Sequence, residues 1–291
     1  MGSARDEALA YVRRVAAAYD PHLRLAETET VNKPAAAVGG VLVCAPHPDD
    51  ESLCGALPLR LAREDGCPVT ALAVTLGSDA ARKEARLREF ADACGVLGWG
   101  WQLARQPLAM DGISPAQRDR DPAAWEGKVA AVVAILAALR PALVLLPHLD
   151  DAHPTHVGTH QLCMEALVRH ATDCGGEILI AETEFWRPLG DANLLVGVGE
   201  EDVARLVLAV SRHRGEIVRH PYHAQLPFRM VETVRRGAEM LAGFGGGVPP
   251  FRFGELYRLA RLMNGRLLPA TRGVILDPAE RLSLAALRSA C

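Results

Sequence analysis

Apolar residues along the chain follow two kinds of pattern, and their alternation predicts the architecture. Five short runs are apolar almost without a break: 40–45 (GVLVCA), 69–76 (VTALAVTL), 142–146 (ALVLL), 177–181 (EILIA) and 192–198 (ANLLVGV). Strands covered on one face alternate, whereas unbroken runs of this length fit strands covered on both faces, as in a parallel sheet. Between them lie stretches with helical spacing and stop signals. Residues 7–19 place Leu9, Val12, Val15 and Ala16 on one face and end before Pro21. Residues 52–64 stop at Gly66, 80–97 at Gly98 and 125–139 before Pro141, while 157–172 follows the third run. Beyond residue 200 the pattern turns helical, over 200–214 and 225–242, with a Gly- and Pro-rich stretch at 243–250. The strand–helix alternation predicts an α/β fold: a Rossmann-like, doubly wound, mostly parallel sheet with helices on both faces and a helical C-terminal extension. The expected organisation is an N-terminal helix and connector (1–38), a main domain (39–215) and a helical or loop extension packed on that domain (216–291).

Composition narrows the class without changing this picture. The chain has 291 residues, 49% of them hydrophobic and 23% charged, which fits a globular protein and disfavours disorder, collagen-like repeats and long coiled coil. A formal net charge of −3 lacks the basic excess of a nucleic-acid binder. No uninterrupted apolar run approaches membrane-spanning length, and the first residues lack a signal peptide's apolar core and a myristoylation motif. The expectation is a cytoplasmic protein with a small-molecule substrate, no nucleic-acid or membrane partner, and a sequence compatible with a homo-oligomer. Seven cysteines (44, 54, 67, 94, 163, 174 and 291) include no CxxC pair and read mostly as reduced, buried small hydrophobes.

Two polar clusters stand out because each follows a strand run. Pro46-His47-Pro48-Asp49-Asp50-Glu51 follows the first, and Asp150-Asp151-Ala152-His153-Pro154-Thr155-His156 follows the third. In a doubly wound sheet ligands bind beyond the carboxyl ends of the strands, near the point where strand order reverses, so the two clusters can meet. His47, Asp50 and His156 then form a His2Asp set for one divalent cation per chain, zinc or another metal, leaving a position for water. Asp49, beside a ligand but not one itself, suits a general base. His153, one turn before His156, suits oxyanion stabilisation and protonation of the leaving group.

These residues resemble the PIG-L/LmbE-like zinc deacetylases. The first signature of that family is an apolar strand followed by A-[H/P]-H-P-D-D-E, here Ala45 to Glu51, and the second is H-P-D-H, here His153 to His156. Arg86, Glu89, Leu97 and Gly98 match an intervening R-x-x-E helix ending in Leu-Gly; Asp111-Gly112 matches a following Asp-Gly; His213 weakly echoes a downstream His motif. The resemblance covers about residues 39–215. It implies a Rossmann-like fold and hydrolysis of an N-acetyl group, commonly on an amino-sugar conjugate, with zinc on His47, Asp50 and His156. It assigns Asp49 as base, His153 as acid or oxyanion stabiliser, and Arg86 and Asp111 as sugar contacts. Taken alone, Arg86 and Glu89 could instead form an i,i+3 ion pair, and Asp111-Gly112 a simple turn. Thr155 replaces the usual Asp of the second signature; that removes no metal ligand but leaves His153 without the family's supporting carboxylate, a role open to Asp150 or Asp151.

The alternative from another enzyme class is a zinc-dependent hydratase or lyase on the same scaffold, which intact Asp49 disfavours. A dinucleotide loop at Gly197-Val198-Gly199 lacks a third glycine, and Glu200, Glu201 and Asp202 would repel a pyrophosphate. Neither Ser52 nor Cys54 lies in a G-x-S-x-G turn. His22, His170, His220 and His223 read as surface or packing residues, and Trp99, Trp101 and Trp186 mostly as core, or, where exposed near the cleft, as stacking surfaces for a sugar or aryl group. Arg105, Arg118, Arg120, Arg187, Arg219 and Arg229 are candidates to grip an anionic group on the substrate.

Overall fold

Each of the five apolar runs forms a strand, and burial on both sides explains their lack of alternation. The computed structural model describes residues 4–26, 38–270 and 272–290. Most of the expected connector, and Cys291, lie outside the described residues. In chain order the first elements are α1 (Ala4–Ala18), β1 (Val41–Ala45), α2 (Asp50–Leu53), α3 (Ala56–Glu64), β2 (Val69–Ala73), α4 (Lys83–Leu97) and β3 (Gly100–Leu103). Then come α5 (Pro115–Arg120), α6 (Pro122–Leu139), β4 (Leu143–Pro147), α7 (Pro154–Cys174), β5 (Glu177–Thr183), β6 (Leu194–Val198) and α8 (Glu200–Val210). The remainder is α9 (Arg214–Ile217), α10 (Tyr222–Ala242), β7 (Phe253–Met263), β8 (Arg266–Pro269), β9 (Val274–Leu276) and α11 (Leu284–Ala290).

The strands make one mixed sheet in the order β3-β2-β1-β4-β5-β7-β6-β9, with β8 paired to β7. From β3 to β5 every pair is parallel. The chain steps outward from β1 to β3 and returns on the other side of β1 as β4, so strand order reverses between β1 and β4. Successive β1 residues face opposite layers: Val41, Val43 and Ala45 join a core with Leu57, Leu61, Phe90 and Leu206, whereas Leu42 and Cys44 join one with Val129, Leu136 and Leu162. Helices therefore cover both faces, as the strand–helix alternation requires.

Several elements depart from the sequence pattern. The helix expected over 52–64 is broken into α2 and α3 at Gly55, where a Cβ would stand 2.5 Å from Leu206 Cδ2. There the turn packs closely against Leu206 of α8. The helix expected over 200–214 stops at Val210, and α9 follows separately. The C-terminal extension carries its helices but also supplies β7, β8 and β9. Strand β7 lies between β5 and β6, antiparallel to both. Its charged positions disguise it: Arg258 is placed opposite Glu182 and pairs with it, and Arg261 pairs with Glu177 at 3.6 Å. The apolar face of α1 is left exposed at Leu9, Val12 and Val15. Helix α6 is long and apolar enough to cross a membrane by length and composition; here Trp125, Val129, Val132 and Leu136 are buried in the layer shared with α7.

Candidate functional site

The two clusters meet at the strand-order reversal. The first leaves β1 and enters α2; the second leaves β4 and enters α7. Close approach of α7 to the Ile113–Ser114 loop before α5 depends on Gly158, where a Cβ would stand 2.6 Å from the Ser114 backbone. His47 Nδ1 and His156 Nε2 each lie 3.3 Å from the same oxygen, Oδ2 of Asp50. In a tetrahedral site with bonds of about 2.0–2.1 Å, neighbouring donor atoms stand about 3.3 Å apart. The donor set and spacing therefore fit one small divalent cation. Ring centroids of His47 and His156 are 5.3 Å apart, and His153 lies 5.0 Å from His47 and 5.2 Å from His156. The side chains of His47, His153 and His156 each offer a donor atom within 4.8 Å of the others.

His156 supplies the sharper test of that fit. It is fully buried, and neither ring nitrogen has a hydrogen-bond partner. An imidazole buried with both nitrogens unsatisfied is costly; a cation at Nε2 removes half of that cost. Burial pulls its pKa down, but Asp50 and Asp151 outweigh this and push it up to about 9, so without a cation a proton takes the cation's place. Burial opposes ionisation of Asp50 as well, yet the His156 and His47 imidazoles hold it well below the usual carboxylate range.

Asp49 and His153 flank this set. Burial, and then the charge of Asp50, push Asp49 well above the usual carboxylate range, with Arg86 pulling the other way. Its backbone sits at φ 120° and ψ −34°, a conformation that costs a residue with a Cβ about 1–3 kcal/mol. Helical geometry would turn adjacent side chains about 100° apart; here both Asp49 and Asp50 line the cleft. His153 is the N-cap of α7: its Nδ1 accepts the Thr155 N–H at 3.2 Å. The neutral ring consequently carries its proton on Nε2. Burial, then the charges of His47 and His156, lower its pKa.

The carboxylate expected to support His153 is absent from its ring. Asp150 is exposed, and Asp151 works elsewhere. Asp151 accepts the His153 backbone N–H at 2.8 Å and the Trp186 N–H at 3.2 Å, and its Oδ2 stands 3.6 Å from His156 Nδ1. It faces a proposed ligand, His156, instead.

Arg86 does not form the simple i,i+3 pair with Glu89. Its guanidinium donates to Pro48 O at 3.0 Å and lies 3.4 Å from Glu216 Oε1, while Glu89 accepts the Gly215 N–H at 3.0 Å. Gly77, at φ 83°, makes room: a Cβ there would stand 2.7 Å from an Arg86 nitrogen. Asp111 lies in the cleft with its side chain 71% exposed and pairs with Lys83. Both are therefore in the cleft, whose volume is about 920 Å³.

Other cleft residues were read differently from sequence. Trp186, expected in the core, is 53% exposed and stacks on the His153 ring at 6.2 Å and 26°; its indole stands 6.5 Å from Tyr222. Phe185 packs edge-on against His156 at 4.7 Å. His220 lines the cleft, and of the six candidate arginines only Arg219 and Arg229 do. Glu51 and His213 escaped a role in the sequence reading, and both are buried behind Asp49, joined at 2.8 Å. The Glu of the first signature was the available signal for Glu51, and the His213 echo the weaker one for its partner.

Comparison with known proteins bears on this geometry. A family profile described as PIG-L, GlcNAc-PI de-N-acetylase, matches residues 42–167. A curated relative, 1D-myo-inositol 2-acetamido-2-deoxy-alpha-D-glucopyranoside deacetylase of Nocardia farcinica, is 29% identical over 187 residues, 55% of this chain and 60% of the relative. The chain thus matches about three-fifths of that relative's length. Among solved structures, N,N'-diacetylchitobiose deacetylase of Pyrococcus horikoshii aligns with a TM-score of 0.54 at 18% identity, over 91% of this chain and 94% of that one. The 4-carboxy-2-hydroxymuconate hydratase of Pseudomonas putida aligns with a TM-score of 0.55 at 15% identity, over 76% of this chain and 96% of that one. At such identities the structural likeness speaks for the fold. The profile match over residues 42–167 spans both signatures and the residues that meet at the strand-order reversal, and there the chain is similar to the PIG-L family.

Proposed function

We propose that this protein is a zinc-dependent hydrolase that removes an N-acetyl, or other N-acyl, group from an amino-sugar conjugate or related small molecule. The observation that carries this reading is the convergence of His47, Asp50 and His156 on one point, with Asp49 and His153 on its flanks and an open cleft in front. The Nocardia relative is named as a deacetylase of an acetamido sugar and the Pyrococcus structure as a chitobiose deacetylase. Both names support the same reaction class.

His47, Asp50 and His156 would hold the cation. When bound, a divalent cation with this donor set acidifies water and polarises a carbonyl. Asp49 takes the proton of the attacking water as general base. His153, with Nδ1 engaged by the α7 backbone and its proton on Nε2, donates a hydrogen bond toward the amide oxygen as charge builds there, and Asp49 passes the proton it took from water to the leaving nitrogen. Arg86 and Asp111 are available to sugar hydroxyls, and Trp186 offers an aromatic surface beside His153.

The same fold houses a hydratase, so the fold does not choose between the reactions; the reading of Asp49 as a base favours hydrolysis. The test is acetate release from a panel of N-acetylglucosamine conjugates, with added zinc and with chelator. Release abolished by chelator and restored by zinc is expected. Release that survives complete metal removal overturns the metal-dependent reading, and water addition to an unsaturated acid without acetate release from any acetamide favours the hydratase.

A further inference from the structure

We propose that His213, acting through Glu51, is a positioning residue that holds Asp49 in its left-handed conformation; the inference rests on the reading of Asp49 as the general base. His213 lies outside the segment matched by the family profile, 162 positions from Glu51 in sequence. It is fully buried, and so is Glu51. His213 Nε2 faces Glu51 Oε1 at 2.8 Å, and Ser52 Oγ donates to the same oxygen at 2.7 Å. A carboxylate oxygen only accepts, so the His213 ring nitrogen donates. With Oε1 held by two donors, Oε2 is turned to the Asp49 N–H, which it accepts at 2.9 Å.

The other end of the same peptide group is held as well. Pro48 O, the carbonyl partner of the Asp49 N–H, accepts from the Arg86 guanidinium at 3.0 Å. The 48–49 peptide plane is thus clamped at both ends, by Glu51 at its N–H and Arg86 at its C=O. The plane's orientation fixes the φ of 120° at Asp49, and with it a carboxylate that faces the cleft beside Asp50. Helix α4 supports both sides of this clamp. Arg86 is on α4, and so is Glu89, which accepts the Gly215 N–H at 3.0 Å and anchors the turn that carries His213. That turn is closed by Glu216 N–H and Ile217 N–H donating to His213 O at 2.9 and 3.0 Å. Without His213, Glu51 loses one of the two donors that fix its carboxylate, and the Asp49 peptide is free to return to negative φ.

The test compares His213→Ala, His213→Gln and His213→Asn. Gln can present an amide N–H where the histidine Nε2 stands, whereas Asn is too short. Loss of a supporting hydrogen bond of this kind costs about 10- to 100-fold. His213→Ala and His213→Asn are expected to lose kcat by that factor with KM and metal content unchanged, and His213→Gln to recover most of it. Crystal structures of the variants are expected to show Asp49 at negative φ in Ala and Asn and near the native value in Gln. Asp49 keeping its positive φ in His213→Ala, or Gln and Asn behaving alike, overturns the proposal. If Ala does not fold, the Gln and Asn pair decides by the same two readouts. A wild type that releases no acetate from any acetamide removes the deacetylase reading, while Asp49 φ in the variants still decides the clamp.

Discussion

Glu255→Gln is expected to stabilise the protein at neutral pH and not at acidic pH. Glu255 lies on β7, in the interior, where its Oε2 accepts the Ala56 N–H at 3.0 Å and the Tyr257 hydroxyl, and its Oε1 has no hydrogen-bond partner. Burial raises its pKa from 4.5 to about 7, against the opposing pull of those hydrogen bonds. The folded state therefore holds this proton more tightly than the unfolded chain. Below pH 4.5 both states are protonated and nothing is lost. As pH rises from there to about 7 the unfolded state releases the proton first, and stability falls. The difference corresponds to about 3 kcal/mol by the top of that window. Glutamine keeps an acceptor for the Ala56 N–H and cannot ionise.

The assay is a pair of thermal melts, wild type and Glu255→Gln, in chelator at several pH values from 4.5 to 8. For a chain of this length, about 3 kcal/mol corresponds to about 5 °C in Tm. The gap between the two proteins should widen in favour of the variant by about that amount between pH 4.5 and 7.5, then level off. Every other group, Asp49 included, is common to both proteins and cancels in the gap. A gap that stays constant across the range would refute the reasoning, because it would mean that Glu255 ionises alike in the folded and unfolded chains.

Elemental analysis of purified protein is expected to give one divalent cation per chain, and His156→Ala to lose it; full occupancy in that variant would contradict the assignment. Asp49→Asn should keep the cation and lose turnover by about 10²–10⁴-fold, since proton acceptance goes while no ligand does; steady-state kinetics on a confirmed substrate check this. Trp186→Ala should raise KM for a sugar conjugate about 2- to 10-fold, the scale of an aromatic contact, with a smaller effect on kcat. An unchanged KM would place the indole outside the substrate's path.

The part of the protein legible from sequence is the part written in local pattern. Unbroken apolar runs identified β1, β2, β4, β5 and β6 because strands covered on both faces need no polar side. The two polar clusters could be assigned to one site because a doubly wound sheet has a single reversal of strand order, and both followed strands that can flank it. Strand β7 was not legible: its arginines look solvent-facing until Glu182 and Glu177 of β5 are placed beside them. The exposure of Trp186, the diversion of Asp151 to His156 and the pairing of Glu51 with His213 were likewise hidden. Each depends on which distant segments approach, at distances of 3–6 Å that composition and spacing do not encode. Local periodicity determines which elements form, because it sets which face of an element must leave water. Partners of buried polar groups are chosen only when the elements pack, because a hydrogen bond or ion pair forms wherever the closed core leaves a donor facing an acceptor.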